Sequence, residues 1–127
     1  MMHAIEVRTM LTPHPTSVGA ARRFVRDVLM SRQVSDGVVD TVELLTGEVV
    51  TNAIVHGRSG PQLAVEVDDH VVRVAVRDLS PELPVRRLGR VDDVSGRGVI
   101  IIEKLASAWG VEREDNGAKR VWFEVGC

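Results

Sequence analysis

Residues 37–57 form a long apolar segment with helical spacing, and this segment limits the folds that are open to the chain. At ~100° per residue, the aliphatic side chains fall on one broad arc of the helix: Val38, Val39, Val42, Leu45, Val49, Val50 and Ala53. A helix with so wide an apolar stripe needs a second layer to cover it. Gly57 is well placed to end the helix, since glycine adopts the left-handed C-terminal conformation without steric cost. The segment therefore predicts a layered domain with this helix against its core.

Three polar residues follow one another along this helix at intervals of four: Glu48, Asn52 and His56. Glu48 and Asn52 fall at the border of the apolar arc, where one side is core and the other can be a cleft. One interpretation is that they are solvated border residues. The other is a phosphate site, in which the Asn52 side-chain oxygen binds Mg²⁺ and Glu48 orients or deprotonates a nucleophile. His56 lies within the arc near the helix end, which favours a capping or packing role.

The strands are predicted from alternation and from turn signals. Residues 5–11 alternate apolar and mostly polar side chains, which is typical of a strand. Residues 62–67 and 71–77 are rich in valine and flank Asp68-Asp69-His70, so they predict a hairpin. A second hairpin is predicted from residues 109–114 and 119–125, with Asn116-Gly117 as its turn.

Two further helices are predicted, and together with the strands they define the fold class. The first begins at Thr16 or Ser17 as its cap and has an apolar stripe of Val18, Ala21, Val25, Val28 and Leu29. The second runs from Val99 to about Ala108. Strands and helices are segregated along the chain, which favours α+β. We expect a two-layer sandwich of one mixed, mainly antiparallel sheet with three helices on one face, forming a single domain over residues 1–127.

Composition excludes several classes of function. The net charge is −2 and the basic residues are dispersed, so no direct nucleic-acid site is expected. No apolar run reaches the length of a membrane span, and the first residues lack the apolar core of a signal peptide. Cys127 is the only cysteine, so no internal disulfide can form. We therefore expect a cytoplasmic protein that does not contact membranes.

Two further segments supply the phosphate and base contacts that Glu48 and Asn52 need. Asp78 ends a predicted strand, where a carboxylate can accept the exocyclic amine of adenine; alternatively it initiates a turn. Gly96-Arg97-Gly98 precedes a predicted helix, so its backbone N–H groups can approach a phosphate closely; the alternative is a flexible linker.

A long polar segment lies between these two. Residues 82–95 show no clear period, which is typical of a mobile or functional loop. Its arginines, Arg86, Arg87 and Arg90, either steer phosphates or a partner, or are solvated loop residues.

The order of these elements resembles the GHKL ATPase superfamily, which includes gyrase, Hsp90, histidine-kinase catalytic domains and the anti-sigma-factor serine kinases. Residues 48–57 resemble its N box, residues 76–81 its adenine-binding box, and residues 95–103 its second, phosphate-binding glycine box. Residues 117–124 resemble the last strand of the small anti-sigma members. The resemblance covers about residues 12–125 and is specific for the small, single-domain anti-sigma type.

The resemblance implies a Bergerat-type ATP-binding fold that uses ATP and Mg²⁺. By position, Asn52 would hold Mg²⁺ and Glu48 would be the catalytic base toward an incoming serine. Asp78 would bind adenine. Gly96, Arg97 and Gly98 would bind the phosphates, and residues 82–95 would be the ATP lid.

The resemblance also implies a regulatory role with defined partners. It implies a serine kinase that captures a sigma factor and phosphorylates a STAS-fold anti-sigma antagonist, so that transcription is controlled by partner switching. Relatives are often homodimers. Two departures favour the alternative of a non-catalytic module that regulates by contact alone. Leu79-Ser80-Pro81 lacks the glycines common in the adenine box, and Arg120 stands where relatives often have Thr.

Overall fold

The computed structural model describes residues 4–56, 60–78 and 101–127. The elements in chain order are β1 (Ile5–Met10), α1 (Ser17–Ser31), α2 (Asp36–His56), β2 (Gln62–Val67), β3 (Val71–Asp78), β4 (Ala108–Arg113) and β5 (Lys119–Gly126). A further helical segment, residues 101–105, precedes β4. Gly57, the Leu79-Ser80-Pro81 segment, the 82–95 lid and Gly96-Arg97-Gly98 lie outside the described residues, and their roles stay predictions.

The strands form one five-stranded sheet in the order β1-β2-β3-β5-β4. Every pairing among the described strands is antiparallel, so the sheet is simpler than the mixed one expected. Its register aligns apolar side chains across the sheet, and the central row is Val7, Val65, Val74, Phe123 and Trp109. Directly opposite residues of antiparallel strands share a face, so one face of the sheet is almost continuously apolar.

The helices cover this apolar face, and we call it the helix face. α2 packs on the central strands β3 and β5, while α1 packs on α2 and β2. Six residues of the stripe predicted for α2 are buried, and Val38 is half-buried; the buried ones are Val39, Val42, Leu45, Val49, Val50 and Ala53. In α1 the buried aliphatic residues are Ala21, Val25 and Leu29, and Ile102 from the third helical segment joins the same core. The predicted α+β sandwich is confirmed.

The start of α1 differs from the prediction. Thr16 occupies the N-cap position, but its backbone is already helical (φ −64°, ψ −17°) and its hydroxyl makes no cap hydrogen bond. Instead, the Thr16 hydroxyl lies 2.9 Å from Nδ1 of His14, and the Ser17 hydroxyl lies 2.8 Å from that of Thr12. The segment before the helix therefore engages both hydroxyls that were expected to cap it.

Both predicted hairpin turns are confirmed. Asp68 Oδ1 accepts the backbone N–H groups of His70 at 2.7 Å and Val71 at 2.8 Å, which stabilises the β2–β3 turn and holds the pKa of Asp68 below its ordinary value. In the β4–β5 turn Gly117 has a φ of 90°, a left-handed conformation that glycine adopts without strain.

The third helix ends earlier than predicted. The helical segment stops at residue 105, and Ala108 already belongs to β4. The backbone N–H of Ser107 donates to the carbonyl of Glu124 at 2.7 Å, so pairing with β5 begins before the predicted helix end. Strand pairing overrides the apolar helical pattern at this point.

Gly60, in the connection between α2 and β2, lets the backbone after β1 pack closely against that connection. A Cβ atom on Gly60 would lie 1.7 Å from the carbonyl oxygen of Leu11, and the backbone N–H of Leu11 donates to the carbonyl of Pro61 at 2.9 Å. A side chain at residue 60 would therefore collide with backbone rather than with a movable side chain.

We expect Gly60→Ala to lower the free energy of unfolding by roughly 2–3 kcal/mol, because the clash forces a backbone shift. Gly37→Ala is the matched control, since a Cβ on Gly37 would meet nothing within 4 Å; inside α2 it should be neutral or stabilising. Urea unfolding followed by circular dichroism measures both variants. Equal stability of the two variants would contradict the packing described for Gly60.

Candidate functional site

Two charged residues lie opposite each other at one end of the sheet. Asp78 is the last residue of β3 and Lys119 is the first residue of β5, and the two are cross-strand partners. The preceding helix-face pair in the same register is Val76 and Val121. Since side chains alternate along a strand, Asp78 and Lys119 point to the helix face, where α2 packs.

Both charged residues are buried. Asp78 is 3% exposed and Lys119 is 8% exposed, although such residues are rarely buried unless they are paired. Cβ atoms of directly opposite residues are about 4.5–5.5 Å apart in an antiparallel pair, and neither side chain is isolated in the structure. The end of the sheet therefore combines a hydrogen-bond acceptor and a donor of opposite charge in a largely apolar layer.

Glu48 and Asn52 are half-buried, as their place at the border of the helical stripe predicts. On one side of them Leu45, Val49 and Ala53 are buried in the core, and on the other side Thr51 and Val55 are exposed. They lie one turn apart on the same side of α2. A ligand seated at this border can therefore contact both polar groups without entering the core.

The chain connection brings this part of α2 to the same end of the sheet as Asp78. Gln62, the first residue of β2, is the cross-strand partner of Arg77, next to Asp78. Five residues join His56 to Gln62, and they span about 20 Å at most. The C-terminal part of α2 and the end of β3 therefore lie at one edge of the domain.

Arg120 does not lie opposite Asp78 on the sheet. It pairs across the sheet with Arg77 rather than with Asp78, and its guanidinium lies 2.5 Å from a carboxylate oxygen of Glu112. It points to the face of the sheet opposite the helices, which we call the open face. Lys119 is the residue that lies opposite Asp78, one position earlier in the chain. Sequence analysis did not identify Lys119, because the residue of β5 that lies opposite Asp78 is determined by the register of the two strands.

The open face contains a groove of about 290 Å³, whose lining includes Arg8, Arg77, Arg120, Glu6 and Glu114. Its arginines are matched by carboxylates. Arg77 donates two hydrogen bonds to Glu114, one of them 2.9 Å long. These bonds hold the pKa of Glu114 below its ordinary value and raise the pKa of Arg77. A groove of alternating charge has little net attraction for a polyphosphate.

Trp122 occupies the next row of the open face. Its ring lies against Gly110, where a Cβ would be 2.9 Å from the indole. The guanidinium carbon of Arg73 stacks 4.5 Å from the ring centroid, and Arg73 is also 3.5 Å from a carboxylate oxygen of Glu124. The open face is thus covered by side chains packed on one another, whereas the helix face ends in the buried pair of Asp78 and Lys119.

The metal prediction depends on a single protein ligand. Within the described ranges, no group of three or more histidine, cysteine or acidic side chains is placed to hold a metal ion. An amide oxygen such as that of Asn52 suits Mg²⁺, which takes few ligands from protein and completes its shell with water and phosphate oxygens. The residues present therefore fit a metal that arrives with a nucleotide. Separately, the described part of the chain contains no helix long and apolar enough to cross a bilayer.

Comparisons with known proteins identify the family and a similar fold. Residues 11–124 match the family model of the histidine kinase-like ATPase domain. The fold is similar to that of a chain in the crystal structure of the SiaB–SiaC complex from Pseudomonas aeruginosa, with a TM-score of 0.64 and 11% sequence identity over 95% of this chain and 89% of that one. No curated protein matches the sequence.

Replacing Lys119 should show how much the buried Asp78 carboxylate contributes to instability when its cationic neighbour is removed. We expect Lys119→Met to lower the free energy of unfolding by about 3 kcal/mol, because it leaves the buried Asp78 carboxylate without its cationic neighbour. Arg120→Met is the matched control on the open face, and it should cost about 1 kcal/mol or less.

The double variant Lys119→Met with Asp78→Asn separates pairing from packing. If the two charges interact, the double variant should lose less unfolding free energy than the sum of the losses in the two single variants. Additive losses in urea unfolding would show that the two charges do not interact.

Proposed function

The chain belongs to the histidine kinase-like ATPase domain family, and we propose that it binds Mg·ATP at the edge where α2 meets the end of the sheet. The observation that carries this proposal is the placement of Glu48 and Asn52 at a half-buried border of α2, with the buried Asp78 at the same end of the domain. The remaining predicted contacts, Gly96, Arg97 and Gly98, would supply backbone N–H groups and a charge to the phosphates.

Asp78 would recognise the base. An ionised carboxylate only accepts hydrogen bonds, so it suits the 6-amino group of adenine. Because Asp78 is 3% exposed, a base that presented an acceptor instead of a donor to its carboxylate would bring two acceptors together in a buried site, which is unfavourable. Burial thus turns a single hydrogen bond into a specificity contact.

Asn52 would hold the metal beside the phosphates, through its side-chain oxygen. The Mg²⁺ ion, when bound, neutralises charge on the phosphate oxygens and supports transfer of the terminal phosphoryl group. Residues 82–95 would be the ATP lid.

Glu48 would act as the base in transfer to a serine. The serine hydroxyl oxygen attacks the γ-phosphorus, the bond from that phosphorus to the β–γ bridging oxygen breaks, and the hydroxyl proton passes to the Glu48 carboxylate. ADP leaves with the bridging oxygen. Phosphoryl transfer depends mainly on positioning and charge neutralisation, and this small set of groups meets that need.

We infer an anti-sigma regulatory role from the resemblance of the small single-domain chain to that type. The substrate would be a serine of a STAS-fold anti-sigma antagonist, and the unphosphorylated partner would compete with a sigma factor for the protein. The similar chain in a SiaB–SiaC complex supports a domain that works by binding another protein. The protein would act in the cytoplasm.

A second candidate function is regulation by contact without phosphoryl transfer. The Leu79-Ser80-Pro81 segment, which lacks the glycines common in the adenine box, favours it. The two functions differ in whether phosphate reaches a partner.

Mg·ATP should raise the melting temperature of the wild-type protein. A ligand at 100 times its dissociation constant stabilises by about 2.7 kcal/mol, which corresponds to a rise of roughly 5–10 °C for a domain of this size. Asn52→Ala should remove most of this shift, whereas Asp40→Ala, an exposed position on the same helix, should retain it. Absence of a shift in the wild type at millimolar nucleotide would exclude the ATP site.

Phosphoryl transfer is tested by incubating the protein with γ-labelled ATP and candidate STAS-fold proteins. We expect label on a partner serine, and a loss of about 100-fold or more with Glu48→Gln, since general bases typically contribute this much. Glu48→Gln should still bind Mg·ATP. Equal labelling by the variant would contradict the base assignment, and ATP binding without any labelling would favour contact-only regulation.

A further inference from the structure

We propose that Lys119 recognises the base together with Asp78, by donating a hydrogen bond from its ammonium group to N1 of adenine. This inference rests on the ATP site proposed above and adds a specificity-determining residue to it. The resemblance assigned no role to Lys119.

The placement of Lys119 carries the first step. It is the cross-strand partner of Asp78, it points to the helix face, and its residue exposure is only 8%. A lysine stem is long enough to run along apolar neighbours while its charged end stays at a polar site. On the helix face Lys119 lies between Asp78 of β3 and the exposed Arg113 of β4, and Asp78 is the neighbour of opposite charge.

The chemistry of the adenine edge carries the second step. Its 6-amino group is a donor and the adjacent N1 is an acceptor. Full recognition of this edge requires one acceptor and one donor side by side. A carboxylate is acceptor-only and an ammonium group is donor-only, so Asp78 and Lys119 supply the two halves of the pattern.

The same pattern discriminates between purines. Guanine carries an acceptor at position 6 and a donor at N1, so it would present its oxygen to the Asp78 carboxylate and its N–H to the ammonium group. Both contacts are repulsive in a buried site, where unmatched polar groups are costly. Lys119 therefore strengthens the preference for adenine that Asp78 alone would give.

Arg120 provides the contrast that identifies Lys119. It is the next residue along β5, it also carries a positive charge, and it lies on the open face with its guanidinium at Glu112. A variant of Arg120 removes a positive charge from the same strand without touching the helix face. It is thus a control for general electrostatic effects on nucleotide affinity.

The test compares Mg·ATP with Mg·1-deaza-ATP, in which a C–H group replaces N1, by isothermal titration calorimetry on the full chain. Wild type should bind the 1-deaza analogue about tenfold more weakly than ATP, as the loss of a charge-assisted hydrogen bond predicts. Lys119→Met should bind ATP about tenfold more weakly than wild type and should no longer distinguish the two nucleotides. Arg120→Met should keep the tenfold preference.

Lys119→Gln keeps a donor without the charge, and it decides the question if Lys119→Met fails the folding check by circular dichroism. Its preference for ATP over the analogue should fall below that of wild type. A wild type that binds both nucleotides equally overturns the inference and leaves the ATP site standing. If both Lys119 variants keep the wild-type preference for ATP over 1-deaza-ATP, another group donates to N1, and the inference is overturned as well. A wild type that binds neither nucleotide overturns both proposals.

Discussion

The packing of α2 on β3 and β5 is the interaction on which the rest of the structure depends. These are inner strands of the sheet, and their apolar rows are completed only when the stripe of α2 covers them. At roughly 25 cal/mol per Å² of apolar surface, contacts of this kind dominate the stability of a small domain. The same contact fixes the rotation of α2 about its axis, and so determines that Glu48 and Asn52 lie at its border.

The two faces of the sheet differ in how their charged side chains are placed. On the open face, charged side chains pair with one another in partly exposed positions, as Arg77 does with Glu114. Such pairs contribute little stability and keep the face hydrated. On the helix face, Asp78 and Lys119 are buried at one end of the sheet, where burial strengthens every polar interaction. A buried site of this kind suits selective recognition of a small molecule, and the open face does not.

Much of this arrangement follows from sequence periodicity, and the rest depends on contacts distant in the chain. The helical stripe of α2 and the valine alternation of β2 and β3 predict both layers correctly, because burial repeats at the period of the backbone. The end of the third helix is mispredicted because pairing with Glu124, far along the chain, competes with local propensity. The place of Lys119 opposite Asp78 is not evident from the sequence for a related reason. A one-residue difference in register exchanges the faces of a strand, and the sequence alone does not specify the register of β5 against β3.

The central claim is that one edge of the helix face, and not the arginine-lined groove of the open face, receives the nucleotide. A crystal structure of the protein with Mg²⁺ and a non-hydrolysable ATP analogue tests it most directly. The account predicts the adenine 6-amino group within hydrogen-bond distance of Asp78, the base edge at Lys119, and the metal at the side-chain oxygen of Asn52. A nucleotide seated in the groove of Arg8, Arg77 and Arg120, with Asp78 and Asn52 uncontacted, would contradict it.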